Sequence, residues 1–123
     1  MKLHADAHSA LNTVTAYGPG FIEVNRQAHR GALILLPEGP VLNWPIDSFD
    51  QIEAQTLSAL LEHQPEIVLL GTGPGQRFPN ARVQASLSAA RIGLDVMSTP
   101  AACRTFNILV AEGRRVLAAL LPG

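Results

Sequence analysis

Apolar residues along this chain come in two rhythms. From residue 14 to residue 44 they fall in short runs, 14–17, 21–24, 32–36 and 41–44, broken by glycine, proline or polar residues. Such spacing predicts short strands joined by tight turns, a series of antiparallel hairpins. Gly18-Pro19-Gly20 joins the first two strands, the polar stretch 25–30 reads as a second turn, and Pro37-Glu38-Gly39-Pro40 closes the third run. From Ser48 the period changes. Ser48 suits a helix N-cap, and Gln51 sits three residues on, where a capping box places its partner. Phe49, Ile52, Thr56, Leu57, Leu60 and Leu61 recur at helical spacing, predicting a helix that ends at Gln64-Pro65.

The stretch 66–79 organises the second half of the chain. Ile67-Val68-Leu69-Leu70 is continuously apolar, the mark of a strand covered on both faces. It runs into Gly71-Thr72-Gly73-Pro74-Gly75, then Gln76-Arg77 and the Phe78-Pro79 step that opens a helix over 80–91. Val83, Leu87 and Ala90 share one face of that helix, Gly93 is placed to stop it, and 94–97 is a strand. Thr99 reads as an N-cap with Pro100 in the first turn, starting a helix that runs to Glu112 and ends at Gly113. The last strand is 114–121. The prediction is therefore an α/β domain: N-terminal β-hairpins, then a βαβαβ unit with two parallel crossovers.

Composition narrows the function classes. At 123 residues and 47% hydrophobic the chain suits one domain, with residues 1–12 as a lead-in. The formal net charge is −1, so there is no broad basic field to hold nucleic acid. The lone Cys103 excludes an internal disulfide and a cysteine-rich zinc site. No apolar stretch is long enough for a membrane span, and residues 1–12 lack the apolar core of a signal peptide, so the cytoplasm is the expected location. His4, Asp6 and His8 have ligand-like spacing, yet near a terminus a solvated lead-in is the simpler reading. Neither metal nor cofactor is expected.

Two sets of residues are candidates for function. In a parallel sheet, loops after neighbouring strands meet at one rim, which would gather Gly71, Thr72, Gly73, Gln76 and Arg77 with Ser98 and Thr99. Both loops precede helix N-termini, which favour an anion, and Arg77 could grip a carboxylate or phosphate. GTGPG lacks the lysine of a phosphate loop, however, and Gln76 stands where a dinucleotide loop needs its third glycine. The alternative is that the glycines serve left-handed turns and close packing. Cys103 would lie in the first turn of its helix, but no histidine is placed beside it, and a small buried residue is the simpler account. Asn107 and Thr105 read as structural, and Glu112 with Arg114 or Arg115 as an ordinary surface pair. No catalytic constellation emerges. The second set is an outward one. Ala102, Cys103, Phe106, Leu109 and Val110 point inward, while Ile108 shares the wet face with Arg104 and Ala111. A helix apolar on more than one stripe implies cover by another chain, with Phe78, Arg104 and Ile108 as the partner-binding residues.

These residues carry a resemblance. GTGPGQRFP, followed by MSTPAACRTFNILVAEGRRVLAALLP, is similar to the signature of domain-of-unknown-function family 498, which includes the mitochondrial NADH dehydrogenase assembly factor 3. AYGPGFIEVN, GALILLP and Trp44-Pro45 stand where that family has its hairpins and tryptophan, so the likeness runs from Thr13 to Leu121. It implies a three-layer α/β/α single domain with a mixed central sheet, and no established catalytic activity. It further implies that Gly71, Thr72, Gly73, Arg77, Phe78 and Thr99 form a shared surface feature. The expected function is a non-enzymatic protein-interaction module related to complex I assembly. The alternative is a small-molecule or anion binder, or an enzyme, using the Gly71 to Arg77 loop. A homodimer through Ile108 or the edge strand near Val41 is a further expectation.

Overall fold

The computed structural model describes residues 11–122. β1 (Val14–Gly18), β2 (Phe21–Val24) and β3 (Gln27–Arg30) form an antiparallel three-stranded sheet. A five-stranded sheet has the order β5 (Leu42–Asn43), β4 (Leu33–Leu35), β8 (Val116–Leu120), β6 (Ile67–Gly71), β7 (Gly93–Met97). β6 lies parallel to both β7 and β8, whereas β4 runs antiparallel to β8 and β5. The sheet is mixed, as expected, and the hairpin β4–β5 completes it. The helices are α1 (Ala54–Ser58), α2 (Ala81–Ala89) and α3 (Thr99–Ala111).

Two apolar clusters sandwich the larger sheet. On one face Ile34, Val68, Leu70, Leu117 and Ala119 meet Leu57 of α1, Val83 and Leu87 of α2, and Trp44. On the other, Leu33, Leu35, Leu69, Ala118 and Leu120 meet Cys103 and Phe106 of α3, together with Val14, Ile22 and Val24 of the small sheet. The third layer is thus α3 flanked by the three-stranded sheet. Val68, Leu69 and Leu70 are all fully buried, which is why their stretch of sequence does not alternate.

Several local expectations are corrected. The helix expected from Ser48 to Gln64 is broken into a 3-10 turn Phe49–Gln51, then α1, then a second 3-10 segment Ala59–His63. Ile52 and Glu53 are extended, which drops Ile52 into the core, and Thr56 Oγ1 sits under the break within reach of Gln51 O and Glu53 N–H. The stretch 25–30 holds a strand as well as a turn. Asn25 (φ 51°) and Arg26 (φ 71°) make the two-residue turn, and β3 follows with a mostly exposed, polar surface. Gly93 does not stop α2. Arg91 takes the left-handed position at φ 61°, Ile92 N–H bonds back to Leu87 O, and Gly93 already belongs to β7. Glu112 does not pair with Arg114 or Arg115. The turn at Gly113 (φ 79°) sends Arg114 to Glu66, 3.0 Å away, and Glu66 also accepts from Arg115 N–H at 2.9 Å. These bonds hold the Glu66 carboxyl below its ordinary value, the Arg115 amide first and the Arg114 side chain second.

Asn107 joins α3 to the small sheet. Its Oδ1 accepts from Val14 N–H at 2.8 Å and its Nδ2 donates to Val14 O at 2.9 Å, so a side chain stands in for a neighbouring strand at the β1 edge. Replacing Asn107 by Ala leaves both Val14 groups without partners. Chemical denaturation should show a loss of about 1–3 kcal/mol, and Asn107→Asp, which keeps only the acceptor, should fall between the two.

Candidate functional site

The loop after β6 and the start of α3 meet at one rim of the larger sheet, and their polar groups bond chiefly to one another. Thr72 N–H donates to Met97 O at 2.9 Å, Gly73 N–H to Thr99 Oγ1 at 2.9 Å, and Thr99 N–H to Gly73 O at 2.7 Å. Thr99 Oγ1 in turn donates to Leu121 O at 2.6 Å. The Thr72 hydroxyl donates to Gly75 O at 2.6 Å and accepts from Arg77 N–H at 3.0 Å, which folds the glycine loop onto itself. Thr72 is 4% exposed and Thr99 1% exposed, so both hydroxyls lie inside the molecule.

The glycines follow from this closeness. A Cβ on Gly71 would stand 2.8 Å from Leu120 Cδ2 and 3.1 Å from Thr99 Cα, inside van der Waals contact. Gly73 has φ +99°, a conformation that side chains disfavour. Thr99 is not the helix cap. Ser98 takes that place, its side chain accepting from Ala101 N–H at 3.3 Å, and Thr99 becomes the first helical residue with its hydroxyl turned to Gly73 and Leu121. Pro100 has no N–H to offer, so the first turn of α3 holds no donor without a partner.

Gly71, Thr72, Gly73 and Thr99 therefore come together, and Gln76 and Arg77 turn elsewhere. Gln76 Nε2 donates to Val96 O on β7 at 2.9 Å. The Arg77 guanidinium lies 4.2 Å from the centre of the Phe49 ring and 3.7 Å from Asp50, on the layer of α1 and α2. The three outward residues also divide. Phe78, 66% exposed, stands just before α2, while Arg104 and Ile108 project from α3 on the opposite face of the sheet, with Ile108 57% exposed. Arg104 Nη1 donates to Tyr17 Oη at 2.8 Å, which adds Tyr17, 40% exposed, to that second surface. Tyr17 was not visible in the sequence as a site residue, since 87 positions separate it from Arg104 and no local pattern links them. His4, Asp6 and His8 lie outside the described residues.

Cys103 is buried, and burial pushes its thiol up to about 11 despite the neighbouring Arg104. It is a protonated core side chain at neutral pH, in keeping with the expectation of a small buried residue.

The family model described as "Protein of unknown function (DUF498/DUF598)" matches residues 14–121. The chain belongs to this family. A Danio rerio relative called NADH dehydrogenase (ubiquinone) 1 alpha subcomplex assembly factor 3 is 36% identical over 116 residues, 93% of this chain and 66% of that protein. A crystal structure of a Bordetella parapertussis protein matches with a TM-score of 0.88 at 47% identity, covering 93% of this chain and 98% of that one. A Francisella tularensis relative, 37% identical over 71 residues and 58% of each chain, is called a 13 kDa major membrane protein. Among the described residues of this chain, no helix is long and apolar enough to cross a membrane.

Thr99→Val keeps the shape of the side chain and strands Gly73 N–H and Leu121 O, so unfolding in urea should show a loss of about 1–3 kcal/mol. Thr99→Ser, which retains the hydroxyl, should recover most of it. The raised Cys103 value carries a pH signature. Its stabilising contribution is intact below pH 9.0, where the unfolded thiol is also protonated, and is lost as pH rises through about 11. Stability plotted against pH should fall less steeply across that window in Cys103→Ala than in the parent.

Proposed function

We propose that this chain is a non-enzymatic, assembly-factor-like protein that works by binding another protein during the building of a respiratory NADH dehydrogenase, and that it does so in the cytoplasm. The observation that carries the reading is the similarity, over 93% of this chain, to a Danio rerio protein called an NADH dehydrogenase assembly factor. Because this chain spans 66% of that relative, the role is carried over for the shared domain. The surface around Tyr17, Arg104 and Ile108 supports the mode of action: it is exposed, partly apolar, and built from β1 and α3, which Arg104 and Tyr17 bond together. At the rim, the N–H groups of Thr72, Gly73, Thr99 and Ala101 already bond within the chain, which favours a protein partner over a phosphate or carboxylate ligand. A second copy of the chain is one form the partner can take.

Deleting the gene in its own organism should lower the amount of fully assembled NADH dehydrogenase on native gels, with partly built forms accumulating. Re-expression of the parent chain should restore it, and Ile108→Glu should not, while melting at the parent temperature. Full assembly in the deletion strain would overturn the reading. In the same series, a rise in melting temperature with phosphate that Arg77→Ala abolishes would support the anion-binding alternative instead.

A further inference from the structure

The Tyr17 surface continues into a cavity of about 290 Å³ between the tip of the β1–β2 hairpin and the start of α3. Its walls are rings: Tyr17, Pro19 and Phe21 from the hairpin, Pro74 from the glycine loop, and Pro100 from α3. Phe21 is folded over Gly18, where an added Cβ would stand 2.6 Å from the ring, so the absence of a side chain at Gly18 sets the seat of that wall. Thr99 also lines the cavity, but its hydroxyl is engaged by Gly73 and Leu121 and offers nothing to a polar guest.

Two cations flank this apolar opening. Arg104 stands at the Tyr17 wall, bonded to the phenol oxygen. Arg30 is the cross-strand partner of Phe21, and its Nη1 lies 3.7 Å from where a Cβ on Gly20 would be. Among the described residues, neither guanidinium has a carboxylate within 4.0 Å, in contrast to Arg77 and Arg114. The nearby Glu23 is held by Thr15, whose hydroxyl donates to it at 2.7 Å. An apolar seat flanked by these two guanidiniums selects a guest with an apolar centre and acidic flanks.

We propose that the hairpin-tip cavity binds an apolar side chain on an extended, acidic segment of a protein partner, with the flanking carboxylates meeting Arg104 and Arg30. This rests on the reading of the chain as a protein-binding module. Among the described residues, a polar metabolite finds no unpartnered buried side-chain group in the cavity, and two cations on a chain of net charge −1 make no track for nucleic acid. Proline and aromatic walls suit leucine or proline on an extended backbone.

The intact chain, labelled for amide NMR, would be titrated with an acetylated Glu-Leu-Pro-Glu peptide and with its Lys-Leu-Pro-Lys counterpart. The acidic peptide should move the resonances of Gly18, Phe21 and Ala101, and the basic one should leave them in place. Arg104→Gln should weaken the acidic peptide about fivefold, the size of an exposed ion pair, without changing the melting temperature, since the side chain is exposed. Equal response to both peptides, or shifts confined to other surfaces, would overturn the site. The double variant Arg104→Gln, Arg30→Gln separates this idea from the assembly role: if it supports full assembly in the deletion strain, the cavity is not the docking point and the broader function stands.

Discussion

Thr99 is where three distant segments of the chain are tied together. Its hydroxyl accepts from Gly73 and donates to Leu121, and its own N–H returns to Gly73 O, so the ends of β6 and β8 and the start of α3 share one knot. The knot is 1% exposed at Thr99. Inside a protein each of these groups left without a partner costs about 1–3 kcal/mol, so the arrangement closes completely or not at all. Gly71 is what lets it close, because any side chain there would meet Leu120 and the Thr99 backbone.

This constraint decides where chemistry can sit. β6 and β7 are neighbours whose following helices, α2 and α3, pack on opposite faces of the sheet. Open α/β sheets hold ligands in the crevice formed at such a reversal. Here the crevice is bridged directly, by Thr72 to Met97 and Gly73 to Thr99. The groups with spare capacity lie outside it, on the surface where Arg104 meets Tyr17 and the hairpin tip leans over Pro100. The same knot that fills the crevice builds one wall of the neighbouring cavity, and so fixes the spacing between hairpin and helix.

Much of the architecture was legible because it rests on local rules. The continuous apolar run at Ile67 to Leu70 announced a doubly covered strand, Gly113 announced the end of α3, and the order of strands and helices from residue 66 onward followed from period alone. Less legible were features in which a distant residue overrides a local preference. Ser48 and Gln51 signalled a helix correctly, but burial of Ile52 interrupts it after one turn. Thr99 looked like a cap because threonine caps helices, yet its hydroxyl is claimed by Gly73 and Leu121 and the duty passes to Ser98. β3 is an exposed edge strand with polar side chains, so nothing in its composition separates it from a loop. The rim itself was foreseen from the placement of two loops. That its donors would be turned inward was not, since hydrogen-bond direction is a property of the assembled backbone. Tyr17 and the cavity beside it arise from contact between the two ends of the chain, which no window of sequence spans.

The most direct test of the closed rim is amide hydrogen exchange in the native state. Gly73 and Thr99 should exchange as slowly as Leu70 in the middle of β6, because their N–H groups are buried and bonded within the same cooperative unit. Exchange of Gly73 and Thr99 at the fast rate expected for the exposed Gly75 would mean that the loop stands open and that the Thr99 knot does not hold the fold together.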